Sequence, residues 1–125
     1  MSPEVLIERL LRETPPGELT AFFSAQELAD AGDGPGRAAS LAARFAAKEA
    51  CLKLFAREAA SGKVTPTDFS VESDAYGAPQ LACSAAAQYV LDLNRIAAVK
   101  LSLTHDRMSA SAVALAVPAR MPTTR

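Results

Sequence analysis

Apolar side chains recur at helical spacing through one long stretch, Ala38 to Ala60, AASLAARFAAKEACLKLFAREAA. At about 100° per residue, Leu41, Phe45, Leu52, Phe55 and Ala59 fall on one stripe, which predicts a single long helix laid against a core. Lys48 interrupts the stripe one turn after Phe45 and one turn before Leu52, and Glu49 lies on its flank. A charge turned toward a core is unfavourable unless it is paired, so it ends in a satisfied network or lines a cleft. No acidic residue stands three or four positions before Lys48. Glu49 and Lys53, at i and i+4 in the favoured order, also suit a helix-edge ion pair. By spacing alone, Arg44, Lys48, Glu49 and Lys53 border one groove.

Either side of this helix the pattern changes. Residues 4–13 read as a short helix after a few extended residues, broken at Thr14-Pro15-Pro16-Gly17 because consecutive prolines cannot continue it. Ser24 and Glu27 form an S-x-x-E capping box that opens a second short helix, and Gly32 ends it. Asp33-Gly34-Pro35-Gly36 is a loop into the long helix, and Gly62 and Pro66 mark another loop after it. Phe69 and Val71 then alternate with Ser70 and Glu72 as a strand, Asp74 to Gly77 turns, and Gln80 to Cys83 returns as a hairpin. Ser84 caps a helix over Ala85 to Leu93. Ile96 to Thr104 is strand-like, His105 to Met108 turns, and Ser109 to Val117 pairs back antiparallel until Pro118 stops it. Together these elements predict an α+β domain over 1–118, an antiparallel sheet packed against one long central helix plus short helices. Residues 119–125 are expected to form a flexible tail.

Composition narrows what such a domain does. The 125 residues are half hydrophobic, enough for one domain that buries roughly two thirds of its unfolded surface. Thirteen basic residues stand against fourteen acidic ones, which predicts no broad nucleic-acid footprint. There is no apolar run long enough for a membrane span, and MSPEVLIERLLRE is charged throughout, so a cytoplasmic protein is expected. Cys51 and Cys83 lie in different elements without metal-ligand spacing and are expected as free thiols. With one histidine in the chain, any histidine chemistry rests on His105.

Two segments far apart in the chain, Arg44-Phe45-Ala46-Ala47-Lys48-Glu49-Ala50 and Ser102-Leu103-Thr104-His105, resemble the 4′-phosphopantetheinyl transferases, and most of all their short stand-alone holo-acyl-carrier-protein synthase group. Phe23-Ser24-Ala25-Gln26-Glu27-Leu28 is similar to that family's F-[ST]-x-x-E-L, and Gly77-Ala78-Pro79 stands in its expected place before a short strand. The likeness runs from about Phe22 to Val117 with its parts in order. It implies transfer of 4′-phosphopantetheine from coenzyme A to a serine of an apo acyl carrier protein, serving fatty-acid or polyketide-type synthesis. It also implies a homotrimer with coenzyme A in the cleft between subunits, and the apolar, small-residue strand SASAVALAV suits burial against another chain.

Carried over by position, the resemblance makes Glu49 a Mg²⁺ ligand and a base for the serine through a bound water, with Lys48 at the pyrophosphate or near the serine. Lys53 would contact the phosphates, Arg44 the 3′-phosphate side, and His105 the nucleotide end of coenzyme A, with Gly77 and Pro79 also at the cofactor. The family's opening strand, G-[IT]-D-[IL]-V-E-I-x-R-[IL], supplies a second metal carboxylate. Setting Glu8-Arg9-Leu10 against its end puts Pro3 where that aspartate belongs, with Glu4 one residue along and on the opposite strand face. Mg²⁺ usually keeps only one or two protein carboxylates, so this departure weakens the site unless Asp74 or Asp106 substitutes. An in-frame Gly-x-Asp in the DNA just upstream of Met1 would restore the strand. Two further readings stay open: a repurposed fold acting on a carrier-bound acyl chain through Glu49, Lys48 or His105 as acid or base, and a silent carrier-protein partner.

Overall fold

Ser24 and Glu27 set the first helix. The Ser24 hydroxyl accepts the Glu27 N–H at 3.1 Å and Glu27 Oε1 accepts the Ser24 N–H at 2.8 Å, so α1 (Ala25–Ala31) begins on a complete capping box. Gly32 ends it at φ +70°, a backbone angle that a side chain would strain. Arg37 then donates through Nη1 to the carbonyls of Leu28 and Gly32, pinning the end of α1 to the start of α2 (Arg37–Leu54). The structure, a computed structural model, describes residues 12–13, 16–105 and 110–119. The expected extended start and helix over 4–13 fall outside these, save Arg12 and Glu13, which are helical. So do the turn after His105 and all of the tail beyond Ala119. Pro16–Ala21 forms a 3₁₀ turn rather than a plain break.

The long helix is shorter than its hydrophobic stripe suggests. It stops at Leu54; Phe55 leaves helical geometry (φ −124°, ψ 47°), and a separate turn, α3 (Ala56–Ala60), follows. The reason is tertiary. At the break the Phe55 ring is buried and stacks on Phe69 with centroids 6.2 Å apart and planes 5° from parallel. Packing of this kind outweighs the local preference to continue a helix. Phe55 and Phe69 anchor a core with Cys51, Val64, Val90 and Leu91, while Phe23, Ala38, Leu41 and Ala42 form a second cluster under α1.

Strands β1 (Phe69–Ser73) and β2 (Pro79–Cys83) pair antiparallel, joined by a turn in which Asp74 Oδ1 accepts the N–H groups of Tyr76 and Ala78 and Gly77 takes φ +82°. Helix α4 (Ala85–Leu93) starts on the Ser84 cap, whose hydroxyl accepts the Ala87 N–H at 3.1 Å. Strands β3 (Ile96–His105) and β4 (Ala110–Pro118) form the other antiparallel ladder, with Ser102 opposite Val113. The expected sheet is thus two antiparallel pairs among the described residues. Pro118 ends β4 as a strand residue, a position that needs no ladder N–H.

Helix α2 lies against the β3–β4 pair. On β4 the half-buried positions are Ala110, Ala112, Ala114, Ala116 and Val117, and on α2 Ala42, Ala43 and Ala47 are buried. Small residues on both sides let helix and strand approach closely. Val113 and Leu115 of β4 point the other way and are 64% and 63% exposed.

Both cysteines are free thiols, as expected. Burial pushes the Cys51 thiol from 9.0 up to about 12 and also raises Cys83. Since the thiolate is the nucleophile, iodoacetamide at pH 8 should leave Cys51 unlabelled in the folded protein and label both cysteines in denaturant. A raised thiol pKa adds stability that is intact below 9.0 and lost as pH climbs toward about 12, so the melting temperature should fall across that alkaline window. Native labelling of Cys51 at the rate of a free thiol would contradict this burial.

Candidate functional site

The four residues expected to border one groove are divided three ways. Arg44 is buried on α2, beneath β1. Its Nε donates to the Val71 carbonyl at 3.1 Å, its Nη2 to the Ser73 hydroxyl at 3.0 Å, and its Nη1 to the Ser40 hydroxyl. This fixed guanidinium lines a cavity of about 470 Å³. Gly77 and Pro79 line the same cavity from the β1–β2 turn, and Leu101, Ser102 and Leu103 line it from β3. The two sequence segments that carried the resemblance therefore meet across one opening, with the Gly77–Pro79 turn beside them. Gly77 contributes backbone shape, since its positive φ lets the turn close.

Lys48 corrects the sequence reading. It is fully buried, and its Nζ sits 2.6 Å from Glu27 Oε1, which is buried as well. The ammonium also donates to the Pro66 carbonyl at 3.1 Å and lies 5.8 Å above the Phe23 ring. Burial pulls the Lys48 pKa below 10.5 while the Glu27 carboxylate opposes that shift. With no exposed surface, Lys48 cannot reach a pyrophosphate or an incoming serine. Its partner comes from α1, beyond the helix-local spacings that sequence can inspect. Glu27 also accepts the Val71 N–H at 2.8 Å, so one carboxylate caps α1, anchors β1 and neutralises α2.

Glu49 and Lys53 are exposed, and neither lines the Arg44 cavity. Five and nine positions along a helix from Arg44, they lie about 140° and 180° around its axis, while about 40° separates them from each other. The Arg44 cavity and the Glu49–Lys53 pair therefore lie on different sides of α2. His105 is the last residue of β3, in register with Ala110; its side chain lies outside those described. Asp74 is engaged in its turn, and Pro3, Glu4 and Asp106 fall outside the described residues.

No group of three metal-ligating side chains gathers among the described residues. Glu49 offers a single solvent-facing carboxylate, a donor set that fits a cation held mainly by substrate phosphates and water. Sequence reasoning missed Ser40, Ser73 and Asp30, all at the Arg44 cavity. Lone serines and an aspartate at element ends carry no pattern to mark them.

The profile of the 4′-phosphopantetheinyl transferase superfamily (ACPS) matches residues 5–116. The chain belongs to that superfamily. Among relatives, a holo-[acyl-carrier-protein] synthase of Chlorobium limicola is 36% identical over 98 residues, 78% of this chain and 73% of its own length. The fold is similar to holo-[acyl-carrier-protein] synthase from Neisseria meningitidis, with a TM-score of 0.73, 25% identity, and 92% of this chain and 91% of that one covered. It is similar also to the Helicobacter pylori synthase in complex with coenzyme A, with a TM-score of 0.72, 25% identity, and 90% and 92% covered. No helix among the described residues is long and apolar enough to cross a membrane.

Proposed function

We propose that this protein transfers 4′-phosphopantetheine from coenzyme A to a serine hydroxyl of an apo acyl carrier protein, as a soluble cytoplasmic enzyme of fatty-acid or polyketide-type synthesis. The observation that carries this reading is the convergence of Arg44, the Gly77–Pro79 turn and Ser102–Leu103 on one cavity, which suits the nucleotide end of coenzyme A. Arg44 takes the 3′-phosphate side, and His105 belongs to the nucleotide end by its place in the motif. Transfer forms a bond from the serine oxygen to the phosphorus bearing pantetheine and breaks that phosphorus's bond to the bridging oxygen. Adenosine 3′,5′-bisphosphate leaves, and the serine proton passes to a base, for which Glu49 acting through water is the candidate. Lys53 faces the phosphates. Glu49 would hold Mg²⁺ together with phosphate oxygens, and the bound cation would offset the charge of the pyrophosphate.

One ligand cannot touch both half-sites of a single chain, because α2 stands between them. A homotrimer resolves this: head-to-tail packing sets the Arg44 cavity of one copy against Glu49 and Lys53 of the next. The exposed Val113 and Leu115 of β4 are the apolar surface such packing would cover.

The test is direct. Incubated with coenzyme A, Mg²⁺ and an apo carrier protein, the enzyme should add the mass of phosphopantetheine to the carrier. Glu49→Gln should reduce that rate by about a hundredfold or more. No mass gain with any divalent metal would overturn the reading; tight binding to an already loaded carrier would then favour acyl-chain chemistry, and binding without turnover a silent partner.

A further inference from the structure

We infer that Ser40 and Ser73 donate their hydroxyl protons to the 3′-phosphate of coenzyme A, completing with Arg44 a three-residue seat for a phosphate monoester. The inference rests on the assignment of the Arg44 cavity to that end of the coenzyme. Each hydroxyl oxygen already accepts an N–H from Arg44, Ser40 from Nη1 and Ser73 from Nη2. A serine hydroxyl carries one proton besides its acceptor lone pairs. Neither proton is given to an acceptor among the described residues, and both serines line the cavity. Polarised by the guanidinium they accept from, the two hydroxyls become better donors to an anion beside it.

A carboxylate stands beside the seat and occupies one of its donors. Asp30 lines the same space, and its carboxyl is held below the usual carboxylate range by the Ser73 N–H at 2.9 Å, by Gln26 Nε2 at 2.7 Å and by Arg44 nearby. Asp30 thus takes up the Ser73 backbone N–H and leaves the Ser73 hydroxyl proton as that residue's donor to a ligand. Leu101 and Leu103 line the same cavity and offer an apolar wall to the nucleoside.

Calorimetric titration with adenosine 3′,5′-bisphosphate and with adenosine 5′-monophosphate tests the seat without relying on turnover. The wild-type protein should prefer the bisphosphate, and Arg44→Ala should erase that preference. Ser40→Ala and Ser73→Ala should each weaken the bisphosphate about tenfold and the monophosphate by less than about twofold. Ser73→Thr should bind like the wild type and Ser73→Val like Ser73→Ala. That pair, equal in shape and different in one hydroxyl, keeps the test valid if an alanine variant folds poorly. Equal weakening of both nucleotides, or unchanged preference in the serine variants while Arg44→Ala loses it, would overturn the serine seat and leave the cavity assignment standing. A preference that survives Arg44→Ala would instead overturn the cavity assignment itself.

Discussion

Glu27→Ala should leave most of the protein unfolded at room temperature. Removing one member of a buried ion pair costs about 3–5 kcal/mol because the other charge stays buried alone. Here Lys48 would be that charge, with no exposed surface through which to reach water. The Val71 N–H would lose its acceptor as well, at about 1–3 kcal/mol, and the capping box a further ~1 kcal/mol. These losses together approach the ~5–15 kcal/mol that holds a domain folded. Guanidinium unfolding checks the prediction, with Glu27→Gln/Lys48→Met as the companion variant. The amide keeps an acceptor for Val71 while the charge left stranded in Glu27→Ala is gone, so the double variant should be the more stable of the two. A loss below about 1 kcal/mol for Glu27→Ala would mean that the pair contributes little to the fold.

Mixing two inactive variants should restore activity. If the site is shared between copies as proposed, Arg44→Ala removes one half of it and Glu49→Gln the other, so each variant alone should turn over at no more than about one hundredth of the wild-type rate. After subunit exchange at equal amounts, roughly a quarter of the interfaces should join an intact Arg44 cavity to an intact Glu49, returning about a quarter of wild-type activity. A site contained within one subunit predicts no recovery at all. Zero activity from a mixture in which exchange has been demonstrated by mass would therefore rule out the shared site, and activity in either pure variant would remove its residue from the essential set.

Much of this arrangement was legible before any coordinates, and the exceptions have one physical character. Period-2 alternation placed β1 at Phe69 to Glu72, one residue short of its observed end, and the Ser24 and Ser84 caps gave the starts of α1 and α4. Those signals are local, so sequence spacing contains them. The stripe on α2 flagged Lys48 correctly as an anomaly but could not supply Glu27, which reaches it through the fold. Phe55 failed as a helix residue for the same reason: its stacking partner, Phe69, arrives from a strand. The convergence of Arg44 with Gly77, Pro79 and Ser102 came from likeness to a family, because these residues meet only through the fold. Ser40 and Ser73 became visible only through what they accept.

The alanine-lined seam between α2 and β4 makes that helix behave as a spindle with a tool mounted on either side. A bulkier residue on β4, such as Ala114→Leu, would prise the spindle from its bearing and turn both tools at once, so nucleotide grip and phosphate chemistry should decline in proportion. Improving one without disturbing the other is a task for residues off this axis, and libraries meant to retarget the enzyme should leave the seam untouched.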